Sequence, residues 1–164
     1  MRGRLVFGVA TLAVVLALGS CKDDVGVTVS ERFVATLSGA SSRPAPITTT
    51  ATGTAEFTYV ADLATLFYRI DVASIDSVFL AHIHAPADTG QTNGVVLNLW
   101  LGSNPAKGLA FTGTLAQGVG GDLGAPAGMT LDSLLVLMRN GNAYVNVHTR
   151  AHPAGEIRGQ LVKQ

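Results

Sequence analysis

The stretch AYVNVHTRAHPAGEIRGQL, residues 143–161, contains two runs in which apolar and polar side chains alternate. The first run covers 143–148, and the second covers 156–161 after a connection that contains Pro and Gly. A period of two is typical of a half-buried strand. The two runs therefore predict an antiparallel hairpin that pairs 144–149 with 156–161. The side chains predicted to face the core are Val145, Val147, Ile157 and Leu161.

The other face of this hairpin is polar. The register that suits the alternation sets His148 opposite Glu156 and Asn146 opposite Arg158. An imidazole, a carboxylate, a guanidinium and an amide then share one strip. Two interpretations stay open: a binding site, or the ordinary solvent-exposed side of a hairpin.

Most of the remaining chain also has the pattern of strands. In residues 65–72, for example, Leu66, Tyr68 and Ile70 lie on one side, and the charged residues lie on the other. Such runs are bounded by Gly, Pro, Asn or Asp. We predict an all-β fold, an antiparallel sandwich or barrel of about eight strands. The other predicted strands are 32–37, 53–59, 65–72, 78–84, 95–101 and 109–115.

One short helix is expected near residues 130–140. The apolar side chains of this segment follow helical spacing, Thr130 is suited to cap the first turn, and Gly141 is suited to end the helix. The alternative is another buried strand, because 134–138 is continuously apolar. The capping residues favour the helix.

The N-terminus has the pattern of a secretory signal. Two arginines precede an apolar run at 5–18, which is shorter than the about 20 residues of a membrane-spanning helix. The run ends in LGSC, residues 18–21, which resembles a bacterial lipobox. We predict a lipoprotein signal at 1–20, lipidation of Cys21, a tether at 21–31 and one domain at 32–162. The protein is then extracytoplasmic and anchored to a membrane by lipid.

Two details refine this localisation. The residue after Cys21 is Lys22, whereas an aspartate there marks inner-membrane retention in Gram-negative lipoproteins, so the resemblance favours the outer membrane. Cys21 is also the single cysteine of the chain, which excludes an intrachain disulfide.

Composition argues against several classes of function. Nine basic and eleven acidic residues remain after position 20 and are scattered along the chain, so nucleic acid is not an expected partner. A Gly-x-Ser-x-Gly elbow and a phosphate-binding loop with Lys-Ser or Lys-Thr are both missing. We therefore do not expect an enzyme, metal-dependent redox activity being the one enzymatic alternative.

Histidines suggest a metal site. His82 and His84 are two residues apart on a predicted strand, so their rings share a face. We expect His148 to join them, with Glu156 and His152 as supporting residues, in a site for zinc or copper. The alternative is that these histidines, on a solvent-exposed face, only form hydrogen bonds with nearby carboxylate or backbone groups. A calcium site in the loop at 88–93 is weaker, because that loop has one carboxylate.

Several blocks of the sequence resemble the CHRD domain, which is named for chordin and also occurs in bacterial extracytoplasmic proteins. The resemblance covers about residues 32–162 and implies an extracellular β-rich fold without a settled reaction. One departure is SRPAP at 42–46, where family members often have an acidic residue before the proline pair. The resembling blocks are FVATLSG (33–39), TGTA (52–55), AHIHAPA (81–87), NGVV (93–96), GNAYVNVHT (141–149) and PAGEIRGQL (153–161).

Two functions follow as alternatives. The first is a non-catalytic module of the cell envelope that binds a protein or glycan or has a structural role. The second is a metal-binding protein whose His-x-His strand is similar to that of copper-zinc superoxide dismutases in architecture, although the paired cysteines and bridging-ligand loop of those enzymes are missing.

The predicted anchor can be tested by substitution. Cys21→Ser removes the proposed lipid attachment, so we expect the protein to leave the membrane fraction or to stay unprocessed. Immunoblots of separated membrane and soluble fractions measure this. A variant with a cleaved signal that still pellets with membranes contradicts the prediction.

Overall fold

Nine strands and one α-helix make up the computed structural model, which describes residues 30–102, 110–122 and 124–164. The predicted signal segment at 1–20 and Cys21 lie outside the described residues. Short 3-10 turns occur at Gly39–Ser41 and Ala61–Leu63. The strands are β1 (Ser30–Ser38), β2 (Thr52–Val60), β3 (Thr65–Ile75), β4 (Val78–His84), β5 (Val95–Leu101), β6 (Phe111–Val119), β7 (Tyr144–Thr149), β8 (Ile157–Gln160) and β9 (Val162–Lys163), and α1 is Leu131–Arg139.

All strands belong to one antiparallel sheet. Eight of them follow the order β5-β4-β7-β8-β1-β2-β3-β6, and β9 pairs with β1. The two ends of the sheet approach each other, since the Tyr68 hydroxyl on β3 donates to the Leu99 carbonyl on β5 at 2.8 Å. The Asn98 amide on β5 likewise donates to the Gly124 carbonyl beyond β6 at 3.1 Å. The sheet is therefore barrel-like and nearly closed, which confirms the predicted all-β class.

The core is apolar and lies inside the curved sheet. Strands alternate as the sequence predicts: in β3, for example, Leu66, Tyr68 and Ile70 are buried while Phe67 and Arg69 are exposed. The apolar side chains on the inner face of each strand therefore make the hydrophobic contribution to stability. The largest fully buried side chains include Phe33, Leu37, Phe57, Leu66, Ile70, Ile83, Leu99, Leu135, Met138, Ile157 and Leu161.

Strand boundaries differ little from expectation. The strand expected at 32–37 begins at Ser30, inside the segment assigned to the tether. The strand expected at 109–115 begins at Phe111 and continues to Val119, and position 109 lies outside the described residues. Tertiary pairing extends a strand beyond its apolar run, because each added residue can join the hydrogen-bond ladder of a neighbour.

Helix α1 forms where the capping residues predict it. The Ser133 amide donates to the Thr130 hydroxyl at 3.3 Å, and Gly141 follows the helix with a φ of 68°. Leu134, Leu135 and Met138 are buried, so the helix covers part of the core with its apolar side. The helix prediction is confirmed and the buried-strand alternative is wrong. In the described part of the chain no helix is long and apolar enough to span a membrane.

An ion-pair cluster joins α1 to the sheet. The Arg139 guanidinium donates to the Glu31 carboxylate on β1, with Nε at 2.9 Å from Oε2, and Lys163 on β9 lies 2.7 Å from the same oxygen. Hydrogen bonds from Arg139 and Lys163 lower the pKa of Glu31 to about 2. The end of the helix is thus held next to the first and last strands.

The C-terminal hairpin forms in the predicted register. Asn146 pairs with Arg158 and Val147 with Ile157 across β7 and β8. The four side chains predicted to face the core are fully buried: Val145, Val147, Ile157 and Leu161.

Truncation of Val147 tests this register. Val147 is 0% exposed, so Val147→Ala should lower the free energy of unfolding by about 1–3 kcal/mol through lost packing and a residual cavity. Urea denaturation measures the change. The matched control is Val162→Ala, because Val162 is 55% exposed and its truncation should change stability by less than about 0.5 kcal/mol. Equal losses in the two variants contradict the register.

Candidate metal centre

Strand pairing brings the histidines together. β4 and β7 are neighbours in the sheet, and their register sets Leu80 opposite His148 and His84 opposite Tyr144. From Leu80 onward, the even-numbered residues of β4 therefore share one face with those of β7, opposite to the core. On this face the ring of His82 is close to the rings of both His84 and His148.

Three imidazoles converge at this point. His82, His84 and His148 each offer a ring nitrogen, and the three nitrogens lie within 4.8 Å of one another. The shortest separation, 3.2 Å, is a hydrogen bond between His82 Nδ1 and His148 Nε2. Ring centroids are 4.9 to 5.8 Å apart. The structure thus places the three predicted ligands around one point.

The cluster is buried, and the expectation of a solvent-exposed strand face is wrong. His82, His84 and His148 are 6%, 7% and 7% exposed. Two loops, at 85–94 and 150–156, form hydrogen bonds with the side chains of this face. The Asn146 amide, for example, donates to the Ala154 carbonyl at 3.1 Å. Alternation within a strand identifies the face turned away from the core, but only the path of the loops decides whether water reaches it.

Main-chain carbonyls orient two of the rings. His84 Nδ1 lies 2.8 Å from the Asn93 carbonyl oxygen, and His148 Nδ1 lies 3.0 Å from the Pro153 carbonyl oxygen. A carbonyl only accepts, so each Nδ1 must hold the proton and donate it. Each Nε2 then presents a lone pair, and His84 Nε2 is buried without a hydrogen-bond partner among the described residues. This is the arrangement in which proteins hold metal-binding imidazoles.

Glycine permits the close cover at the second loop. Gly155 has a φ of 117°, a conformation that side chains strongly disfavour. A Cβ built at this position would lie 2.1 Å from the Asn146 amide nitrogen. The loop can therefore lie directly against Asn146, on the same face as the histidines.

Burial keeps the imidazoles neutral. Burial and, to a smaller extent, the neighbouring rings of His148 and His84 together lower the pKa of His82 to about 4. Burial also lowers the pKa of His84 to about 4, and it lowers the pKa of His148. Neutral imidazole is the form that binds metal, so the cluster does not need to lose protons at neutral pH to accept a cation.

Glu156 and His152 do not take the positions expected of them. The Glu156 carboxylate accepts hydrogen bonds from the hydroxyls of Thr49 and Thr149, both at 2.6 Å. Strand β8 begins only at Ile157, so Glu156 lies in the bend before it, and the Pro153 carbonyl orients His148 instead. His152 contributes main-chain bonds to the turn and is not among the converging imidazoles.

Tyr144 and Arg158 extend the cluster beyond the predicted residues. The Tyr144 ring stacks on His84 with a centroid distance of 4.9 Å and an interplanar angle of 5°. The Arg158 guanidinium carbon lies 3.6 Å from the centroid of the same tyrosine ring. The alternation of 143–148 already indicates that Tyr144 shares a face with His148. The carbonyls of Asn93 and Pro153 have no signal in the sequence, because every residue carries a carbonyl.

The loop at 88–93, which was considered as a calcium site, uses its carboxylate in a hydrogen bond within the loop. One Asp88 carboxylate oxygen accepts from the Gly90 amide at 2.8 Å, which closes a tight turn. In the described ranges, the histidine cluster is the one group of three or more His, Cys, Asp or Glu side chains arranged to hold an ion.

The comparisons with known proteins identify a family and no individual relative. A family model described as the CHRD domain matches residues 33–161, which includes all the strands and loops of the cluster. Neither the curated proteins nor the solved structures contain a match to the chain.

Burial of neutral histidines makes stability depend on pH. As pH falls from about 6.5 toward 4, the unfolded chain takes up protons that the folded chain does not, so the free energy of unfolding should decrease. The slope is about 1.4 kcal/mol per pH unit for each such histidine, and the full stability is present above about pH 6.5. Urea denaturation with a chelator at pH 7 and pH 5 measures it.

Paired variants assign this effect to the cluster. His82→Gln should make the pH dependence shallower, whereas His152→Gln, which changes a histidine outside the cluster, should retain the dependence of the unmodified chain. An unfolding free energy that is equal at pH 7 and pH 5 contradicts the assignment.

Proposed function

The chain belongs to the CHRD domain family, and we propose that it is an extracytoplasmic, lipid-anchored module that binds one zinc or copper ion through His82, His84 and His148. The anchor is the lipidated Cys21 predicted from the sequence. The observation that supports metal binding best is the shared orientation of His84 and His148, since each donates Nδ1–H to a carbonyl and turns the lone pair of Nε2 toward the cluster.

The distances between the histidine nitrogens suit a transition metal. Zinc–nitrogen bonds of about 2.0–2.1 Å in a tetrahedral site put ligand nitrogens roughly 3.4 Å apart. The His82–His148 pair is at 3.2 Å, and all three nitrogens lie within 4.8 Å. Small rotations of the rings are therefore sufficient to close the site. An ion would take the place of the hydrogen bond between His82 and His148. Because His148 Nε2 accepts in that bond, His82 would hold the ion through Nδ1 only in the tautomer that carries its proton on Nε2.

The type of ligand atom narrows the choice of metal. Three imidazoles without a thiolate or carboxylate suit zinc or copper, whereas calcium and magnesium prefer oxygen ligands. A site with three protein ligands leaves a fourth position for water or another small ligand. The cluster is covered by loops held through hydrogen bonds, so the binding geometry is preorganised before the ion arrives.

Binding rather than turnover is the proposed role. A protein or glycan ligand, or a structural role in the cell envelope, is the alternative that the extracytoplasmic location supports, and the lipid holds the module at the membrane in either case. Absence of metal uptake in the experiment below favours that alternative.

Elemental analysis tests the metal site. The full-length chain, stripped with a chelator and dialysed against zinc or copper, should retain about one ion per chain. Loss of a residue that only supports a metal ligand typically weakens metal binding by about 10–100-fold. His84→Gln removes a ligand itself, so we expect a larger loss of affinity. His152→Gln is the matched control and should retain the ion, because His152 is outside the cluster.

Thermal unfolding provides a second measurement that does not depend on yield. Ion at about 100 times its dissociation constant should stabilise the unmodified chain and His152→Gln by about 2.7 kcal/mol, and His84→Gln by much less. The buried position of His84 makes some loss of basal stability expected in the variant, so the shift caused by metal is the quantity to compare. Equal shifts in all three proteins contradict the proposal.

A further inference from the structure

A polar cavity of about 230 Å³ opens beside the histidine cluster. The polar and aromatic residues that line it are Arg43, His84, Thr92, Asn93, Tyr144, Asn146 and Arg158. Within the described ranges no acidic residue lines it. Two positive charges therefore face one cavity whose walls are otherwise neutral.

Arg158 is incompletely paired for a buried charge. It is 2% exposed, and its Nη2 donates to the Asp88 carbonyl at 2.8 Å. Its Nη1 is buried without a hydrogen-bond partner in the described part of the chain. The face of the guanidinium rests on Tyr144, which attracts the cation but satisfies none of its N–H groups. Buried charges in proteins normally have a counter-charge.

Arg43 also lacks a carboxylate partner. Its Nη1 donates to the Ser42 carbonyl at 2.8 Å and the Ala40 carbonyl at 3.3 Å. Among the described residues, neither arginine of the cavity forms a salt bridge, whereas Arg32, Arg69 and Arg139 each do.

The two nearby carboxylates, of Glu156 and Asp88, accept hydrogen bonds from groups other than these arginines. The Glu156 carboxylate accepts from two threonine hydroxyls, and an Asp88 carboxylate oxygen accepts from the Gly90 amide. Burial lowers the pKa of Arg158, and the positive charge of Arg43 acts in the same direction, whereas Tyr144 and Asp88 raise it. The two guanidinium groups thus repel each other across a space that an anion can fill.

We propose that this cavity binds a small oxyanion, a phosphate or a carboxylate, between Arg43 and Arg158. The planar guanidinium fork matches the paired oxygens of both groups, and charge-assisted hydrogen bonds are the strong ones. The orphan Nη1 of Arg158 gains an acceptor, and the repulsion between the arginines is neutralised. Neither arginine is a proposed metal ligand, although His84 lines the cavity as well.

Calorimetry on the chelator-treated full-length chain tests the site. Sodium phosphate and sodium acetate are titrated separately at fixed ionic strength, with sodium chloride as the reference titration. Binding of phosphate assigns the cavity to phosphate groups, and binding of acetate alone assigns it to carboxylates. Heats equal to those of sodium chloride for both anions overturn the proposal, because the cavity then holds water only.

Two variants that each remove one positive charge distinguish a specific anion site from general electrostatic attraction of anions to the protein. Arg43→Gln should weaken the anion by about tenfold or more, since it removes one charge-assisted contact. Arg150→Gln removes the same charge from an exposed position outside the cavity and should change affinity less than about twofold. Equal losses in the two variants overturn the site. Metal uptake by Arg43→Gln should be unchanged, so failure of the anion site leaves the proposed metal centre standing.

Discussion

The antiparallel pairing of β4 with β7 is the constraint on which the rest of this molecule depends. In this register Ile83 lies opposite Val145 and Ala81 opposite Val147, and all four side chains are fully buried in the core. The same register sets the histidines on the outer face. A slip by one residue would turn the apolar set away from the core and the polar set into it, so the hydrophobic core itself maintains the geometry of the imidazoles.

The two halves of the sheet use their outer faces differently. On β3, Arg69 and Asp71 form an exposed ion pair with N–O distance of 2.6 Å, which is the kind of surface contact that contributes little to stability. On β4, β7 and β8 the equivalent outer face is covered by the loops at 85–94 and 150–156, and its polar groups are buried. Cover by loops, and not the strands themselves, turns an ordinary polar strand face into a candidate site.

Burial of this face has an energetic consequence. Four buried side-chain atoms on it lack hydrogen-bond partners among the described residues: His84 Nε2, Asn146 Oδ1, Arg158 Nη1 and Gln160 Oε1. Each unsatisfied group costs about 1–3 kcal/mol, so their concentration on one face is unfavourable for the empty fold. A cation at the histidines and an anion at the arginines would satisfy two of the four. Functional sites typically contain groups whose arrangement lowers the stability of the fold.

The sequence by itself determined the all-β class, the hairpin register and the helix, because periodicity and capping are local properties of the chain. The spacing of His82 and His84 also determined that the two rings share a face. The tertiary structure alone decided that His148 reaches them, since that depends on β7 lying beside β4 although more than sixty residues separate the rings in sequence. It also decided that the face is buried and that the Asn93 and Pro153 carbonyls, not Glu156, orient the rings. Loop paths and main-chain partners are set by the packing of the whole chain, and carbonyls are identical at every position, so no residue pattern encodes them.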